Sequence, residues 1–311
     1  PTMFLSDEYL LMKYKTYPNK TVDGRDILSP IQRLDLVINK IGTYQEKAYQ
    51  YVIHKIKKKF PSFKKLDSGL GYNVLEPPLQ TLNMAYPSID FDDEGEDSDV
   101  ILYGKGGLNR IMNHHHNKKQ MSYKQETLEK YGRIFSKNEI GKYSSKINFI
   151  CERIRQSVGI VLIYSQYIDG GCVPIALALE EMGFRRYGDV PSLFQTKPKN
   201  VEKLFEFTPY YTMITGDKAL SPNNNASIKS VTNDDNKYGE KIKVVIISRA
   251  ASEGIDLKNI RQVHILDPWY NLNRPAQITG RAIRQCSHKS LPFKERNAEI
   301  YMYGTILSDS T

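Results

Sequence analysis

The stretch "KIKVVIISRAASEGIDLKNIRQVHILDP", residues 241–268, holds two apolar runs around a polar segment that carries Gly254 and Asp256. Neither run alternates apolar with polar residues. Continuous Val and Ile of strand length predict strands covered on both faces, as in a parallel sheet with helices on either side. Pro268 halts the second run. Outward from this stretch the pattern repeats. "GIVLIYSQ" (159–166), "YYTMITGD" (210–217) and "AEIYMYGTI" (298–306) read as further strands. Helices are predicted around Ile147, Ile150, Cys151 and Ile154, over "VPIALALEEMGFRRYG" with Gly183 near its end, and over residues 276–285. The fold class expected is therefore α/β, a parallel sheet flanked by helices. Ligands on such sheets gather at the carboxyl ends of strands, so the polar residues that follow each strand are expected along one edge.

The N-terminal part reads differently. Residues 30–59 place Leu34, Val37, Ile38, Ile41, Tyr44, Ala48, Val52 and Ile56 at helical spacing, which predicts one long helix with Ser29 as N-cap and Pro30 in its first turn. Its last turns carry "HKIKKKF", either a solvated helix end or a nucleic-acid contact. Dense like charge in "DFDDEGEDSD" (90–99) predicts a mobile surface loop rather than a calcium site. "HHHNKK" (114–119) is expected to be a loop, since adjacent histidines share no helix face for a metal. A mainly helical accessory segment is thus expected over 1–120 and the α/β lobe over 121–311.

Composition is that of a globular chain: 40% hydrophobic, 25% charged, with a formal net charge of +9. The positive balance fits a polyanionic partner or a merely basic surface. Cys151, Cys172 and Cys286 are too scattered for a disulfide framework or a zinc site, which points to a reducing compartment. Apolar runs such as "VGIVLIY" are too short to span a bilayer, so no membrane partner is expected. Pro1 in place of an initiator methionine sets the expectation of a piece cut from a longer protein.

"QITGRAIRQCSH" (277–288) joins Gln277, Arg281 and Arg284. Arginines three apart lie on one helix face and can aim two fixed cations at one point. Phosphoryl transfer uses such a pair because negative charge must be met around the transferred group, an effect on the order of 10³ to 10⁵ in rate. The alternative is a helix whose arginines pair with surface acids, at about 0–1 kcal/mol each.

Three segments carry a family resemblance. "SEGIDLKNIRQVHILDPWYN" resembles motif V of superfamily 2 helicases, "QITGRAIRQ" resembles motif VI, and "GIVLIYSQYIDGG" resembles motif IV, the first strand of the second RecA-like lobe. They occur in family order over residues 145–305. A narrower resemblance, carried by the first two segments and by "LNMAYPS" (82–88), is to the helicase-like NTPases of large cytoplasmic DNA viruses, among them the poxvirus early transcription factor small subunit, nucleoside triphosphatase I and asfarvirus relatives.

The resemblance implies γ-phosphate contacts for Arg281 and Arg284 and a nucleotide-sensing place for Gln277. Asp256 would accept from a ribose hydroxyl or bridge to motif VI, or else serve as a turn residue. Glu253 and Gly254, next to Ser252, would shape the turn between nucleotide and strand-binding surfaces. Ser165 and Gln166 would touch a nucleic-acid backbone, as would Ser252. Gly170 and Gly171, and Thr215 and Gly216, would each let a phosphate approach, unless they only make tight turns. Trp269 would stack on a base or fill the core edge.

One departure limits the resemblance. No GxxxxGK[ST] occurs: "LYGKGGLNR" has the wrong spacing and "EIGKYSSK" lacks the first glycine, and there is no DExx box. ATP and Mg2+ are therefore expected on a first RecA-like lobe outside this chain, and the chain alone is expected to be inactive. The implied partners are single-stranded or duplex nucleic acid, that N-terminal lobe and viral transcription machinery. The implied setting is host cytoplasm, in viral factories, and the virion. A translocase that does not separate strands and a degenerate docking module are the rival readings.

Overall fold

The computed structural model describes residues 37–60, 74–115, 120–199, 201–251, 254–268 and 273–308. In chain order it begins with β1 (Val37–Lys40), α1 (Thr43–Lys59), α2 (Glu76–Asn83), α3 (Ile89–Glu94) and α4 (Gly104–Ile111). A hairpin, β2 (Met112–His115) and β3 (Gln120–Tyr123), precedes α5 (Gln125–Tyr131), α6 (Ile140–Tyr143) and α7 (Ser145–Arg155). Then come β4 (Ile160–Ser165), α8 (Val173–Glu181), β5 (Arg185–Arg186), β6 (Tyr210–Ile214) and α9 (Asn224–Val231). The chain closes with β7 (Val244–Ser248), β8 (Ile260–Ile265), α10 (Asn273–Ala282) and β9 (Glu299–Ile306).

Every residue of β4 and of β7 is buried, and alternate residues go to opposite faces. Val161, Ile163, Val244 and Ile246 join one cluster with Ile147, Ile150 and Ile154 of α7 and Ile175 and Leu179 of α8. Ile160, Leu162, Val245 and Ile247 join another with Val231 of α9 and Ile278 and Ala282 of α10. Helices thus cover both faces, which is why the strands read as unbroken apolar runs. Each such side chain contributes roughly 1.5–3 kcal/mol by leaving water. The sheet runs β1-β9-β8-β4-β7-β6-β5, and every neighbouring pair is parallel. This is the RecA-like arrangement, a parallel sheet flanked by helices with a helical N-terminal region.

Three expectations are corrected. Within the predicted helix over 30–59, Val37–Lys40 is a strand instead, paired with Tyr303–Ile306 of β9, and the helix begins at Thr43. Pairing with a partner far along the chain overrides local spacing. Gly42 takes extended angles where a Cβ would meet the Gly141 carbonyl at 2.7 Å. The proposed cap at Ser29 and Pro30 lies outside the described residues. The basic last turn, Lys57 to Lys59, is as expected.

The acidic run is no loop: α3 and a 3-10 turn, Gly95–Asp97, occupy it. Phe91 anchors it in a third cluster with Ala48, Tyr51, Val52 and Leu102. Its charges are met by Arg110 on Asp90 at 2.8 Å and by Lys130 near Asp92 and Asp93. His114 and His115 belong to β2, paired with Met121 and Gln120, while 116–119 lie outside the described residues. Across the proposed boundary near 120, Met84, Tyr86, Leu108 and Ile111 share a cluster with Val161, Ile163 and Tyr303. Ser308 at the other end of the chain hydrogen-bonds Glu46 of α1. No helix of the described residues is long and apolar enough to cross a membrane.

Candidate nucleotide and nucleic-acid interface

Parallel strands bring Ser165, Thr215, Ser248 and Asp267 to one edge, the carboxyl ends of β4, β6, β7 and β8. Ser165 and Ser248 stand directly opposite in register. Ser165 is fully buried; its hydroxyl accepts from the Tyr167 amide at 3.2 Å and bonds the Asp267 carboxylate. Gln166, half-buried at the rim, donates its amide to Asp267 Oδ2 at 2.8 Å. Thr215 is buried as well, with Oγ1 2.7 Å from Ser221 Oγ. Gly216 is exposed, and its amide donates to Ser248 Oγ at 3.4 Å.

Gly170 and Gly171 lie buried in a π-helical turn, Ile168–Cys172, that feeds α8. A Cβ on Gly170 would strike Gln80 Oε1, and one on Gly171 would strike Ser165 Oγ. Packing of the turn on the protein's own side chains therefore explains this glycine pair, and neither glycine offers the surface for phosphate that the sequence reading gave it. The same holds for the hydroxyls of Ser165 and Thr215. Among the described residues, Gln166 and Gly216 are the sequence-predicted ones at this edge that reach solvent.

Sequence reading missed the group beneath them. Asp267 is buried, accepts from Asn83 Nδ2 at 3.2 Å, and sits near Lys146. Burial holds its carboxyl up at about 6, offset in part by these hydrogen bonds and by Lys146. Burial likewise lowers Lys146 to about 8, against the pull of Asp267. Lys146 Nζ donates to Asn83 Oδ1 at 3.3 Å and to the Leu266 carbonyl at 3.1 Å. A lysine four residues before the buried Ile150 was the available signal. Arg274 and Arg249, also missed, bring positive charge to Tyr164 at this edge; burial pushes that phenol up to about 12, and the two arginines oppose the shift.

The arginine pair lies elsewhere. α10 follows β8 and buries Pro275, Ile278, Thr279 and Ala282, leaving Gln277 exposed. It runs back along the strand it follows: the Leu257 amide donates to the Arg281 carbonyl and the Asn259 amide to the Ser287 carbonyl, both at 3.1 Å. Asn259 immediately precedes β8, whereas Asp267 lies beyond its other end. A six-residue strand is about 20 Å long, so the expected single edge divides into two surfaces. The helix also ends at Ala282, so Arg284 is outside it.

Both guanidinium groups nonetheless converge on Asp256. Its Oδ1 is 2.5 Å from Arg284 Nη1 and 4.0 Å from Arg281 Nη1. The side chains are 45%, 18% and 63% exposed for Arg284, Arg281 and Asp256, so Arg284 and Asp256 face solvent while Arg281 is largely covered. Arg284 Nε also donates to the Gly280 carbonyl at 3.0 Å, which turns its head toward Asp256. Gly254, at φ +78 and exposed, needs the left-handed region that favours glycine. Ser252, Glu253 and Trp269 lie outside the described residues. Among the described residues no group of three or more His, Cys, Asp or Glu side chains could hold a metal ion.

Residues 145–286 match the family described as helicase conserved C-terminal domain. The chain is 31% identical over 172 residues to a protein of Acanthamoeba polyphaga mimivirus named "Putative ATP-dependent RNA helicase R563", covering 55% of this chain and 27% of that protein. It is 32% identical over 181 residues to "Termination factor NPH-I homolog" of African swine fever virus (isolate Tick/Malawi/Lil 20-1/1983), covering 51% of this chain and 26% of the relative. It spans about a quarter of the length of these two relatives. Among solved structures it is similar to "Crystal structure of the C-terminal part of Fun30 ATPase domain", with a TM-score of 0.47, 16% identity, and coverage of 88% of this chain and 84% of that one. Residues 145–286 are thus similar to the conserved C-terminal domain of helicases, and the chain is similar to viral proteins named as a helicase and as an NPH-I homolog.

Proposed function

We propose that this chain is the C-terminal lobe of an ATP-dependent nucleic-acid helicase, and that Arg281 and Arg284 are the cations it offers to ATP held by another RecA-like lobe. One observation carries the reading: two arginines from α10 and its end converge on a single, solvent-facing anion, Asp256. An exposed pair contributes only about 0–1 kcal/mol, so a phosphate replaces the carboxylate at small cost. In this reading Asp256 parks the guanidinium groups until lobes close, and Gln277, exposed on the same helix, reports on the nucleotide. Gly254 gives the segment before Asp256 its left-handed turn; Ser252 and Glu253 precede it in the sequence.

The residues present fit a triphosphate, since they supply fixed cations. Mg2+ would arrive with ATP on the P-loop lobe, where it neutralises the phosphate oxygens. What this chain's residues then do is limited to electrostatics: Arg281 and Arg284 meet charge that builds on the γ-phosphate and help hold the lobes together.

Nucleic acid would cross the other surface. Gln166 offers its side chain and Gly216 its open backbone at the rim, their amides being bonded to Asp267 and Ser248 within the fold, Arg249 and Arg274 add positive charge, and Ser165, Gly170, Gly171 and Thr215 shape the edge from beneath. From the sequence alone, Trp269 is proposed as a stacking or packing residue. Such contacts grip backbone and carry no sequence preference. Residues 1–120 would act as an accessory segment built onto the lobe at 121–311. The viral relatives support a viral setting; cytoplasmic factories and the virion are the finer part of this proposal. Similarity to a protein named as a termination factor homolog favours a second reading, a transcription translocase that does not separate strands. Strand displacement by the intact ATPase, measured beside ATP hydrolysis, tests the choice. Hydrolysis with displacement supports the helicase, and hydrolysis without displacement supports the translocase.

A further inference from the structure

We propose that Asp267 is a positioning residue that locks the strand-binding edge to the N-terminal segment, so that residues 82–86 help set how the turn after β4 meets a polynucleotide. The inference rests on the reading above in which Gln166 and Gly216 face the nucleic-acid backbone.

Four parts of the chain meet at one buried carboxylate. Asn83, at the end of α2, donates to Oδ1 at 3.2 Å; Gln166, the first residue beyond β4, donates its amide to Oδ2 at 2.8 Å; Ser165 adds its hydroxyl. Lys146 of α7 closes the ring by donating to Asn83 Oδ1 and to the carbonyl of Leu266, the residue before the carboxylate. Asn83 is held a second time, because its carbonyl accepts from Ser144 Oγ at 2.5 Å, and Ser144 caps α7 by accepting from the Ile147 amide. The position of Ser165 passes onward through contact: Gly171 sits against its side chain with no room for a Cβ, and Gly171 leads into α8.

Burying Asp267 and Lys146 near each other yields little net stability, since desolvation offsets the attraction between them. Its consequence is geometric. With every donor satisfied the ring holds one arrangement; with the carboxylate neutral, one acceptor is lost and the Gln166 turn is released. The titratable groups facing Asp267 are Lys146 from α7, Tyr164 from β4, Tyr167 from the turn after β4 and Cys172 from the π-helical turn. Burial raises both phenols and the thiol and leaves Lys146 at about 8, so Asp267 at about 6 is the member of the group that changes charge on mild acidification.

The test uses the 311-residue chain and a fluorescein-labelled oligothymidylate, with fluorescence anisotropy read between about pH 5 and about pH 7.5. At the lower value about a tenth of Asp267 is ionised, so a fold that binds only in the ionised state shows an apparent Kd about tenfold weaker. A merely basic surface does the reverse, because acid adds positive charge and tightens binding. The proposal expects wild-type affinity to fall about tenfold on acidification. It also expects Asp267→Asn to be weak at both values and flat between them, with Lys146→Gln weakened as well. The wild-type titration needs no substitution, so it decides even where a variant does not fold. Wild-type binding that holds or tightens in acid, or that matches Asp267→Asn throughout, overturns the positioning role and leaves the nucleic-acid reading intact. A wild type that binds no strand at any pH overturns that reading, and the positioning role falls with it.

Discussion

Asp256→Asn separates the two meanings of the arginine cluster. The substitution keeps the side-chain volume and removes the charge that sits 2.5 Å from Arg284 Nη1 and 4.0 Å from Arg281 Nη1. With Asp256 63% exposed and Arg284 45% exposed, the pair is screened by water and contributes about 0–1 kcal/mol. For a chain of this size that corresponds to a melting shift of no more than about 4 °C. The same free energy, no longer spent on the carboxylate, becomes available to an incoming anion. One kcal/mol is a factor of about five in a dissociation constant. Asp256→Asn is therefore expected to fold normally, to melt within about 4 °C of the wild type, and to bind inorganic tripolyphosphate up to about fivefold more tightly in a calorimetric titration. A melting drop beyond about 8 °C with no gain in tripolyphosphate affinity would mean the cluster is a structural tie, and the reasoning would fail.

Three further outcomes follow from the packing and the titrations. Ile163→Ala, in the centre of β4 and fully buried, is expected to cost about 2–5 kcal/mol, read as a lowered urea midpoint. Gly171→Ala has no room beside Ser165 Cβ, 2.7 Å from the added carbon, and is expected to lose about 1–3 kcal/mol by thermal melting; an unchanged melt would show that the turn is not packed as described. Asp267 has a folded pKa of about 6, above its unfolded value. Its contribution to stability is therefore full below about pH 4 and lost as pH rises through about 6, by up to about 3 kcal/mol. The wild-type urea midpoint minus that of Asp267→Asn should fall across this window, and a flat difference would contradict the assignment.

The central strands were legible because burial on both faces leaves an unbroken Val and Ile signature, as at Ile160–Tyr164 and Val244–Ile247. α7 and α8 were legible from their apolar spacing. β1 was hidden, since Val37 to Lys40 becomes a strand only by lying beside Tyr303 to Ile306. The acidic run misled because its charges are satisfied by Arg110 and Lys130 from later elements, while one residue, Phe91, anchors it. At the candidate site the arginines were readable as a motif and do meet at one anion. The two-surface layout was not readable, because it depends on α10 running back along β8. Nor was the ring around Asp267, whose partner Asn83 is 184 positions away.

The most direct measurement is the ATPase rate of an intact protein that joins this chain to the P-loop lobe proposed for it, compared between wild type and Arg284→Ala. Loss of an arginine that meets the γ-phosphate is expected to lower turnover by about 10³-fold or more, with nucleotide still bound and the lobe still folded. Turnover within a few-fold of the wild type would contradict the account.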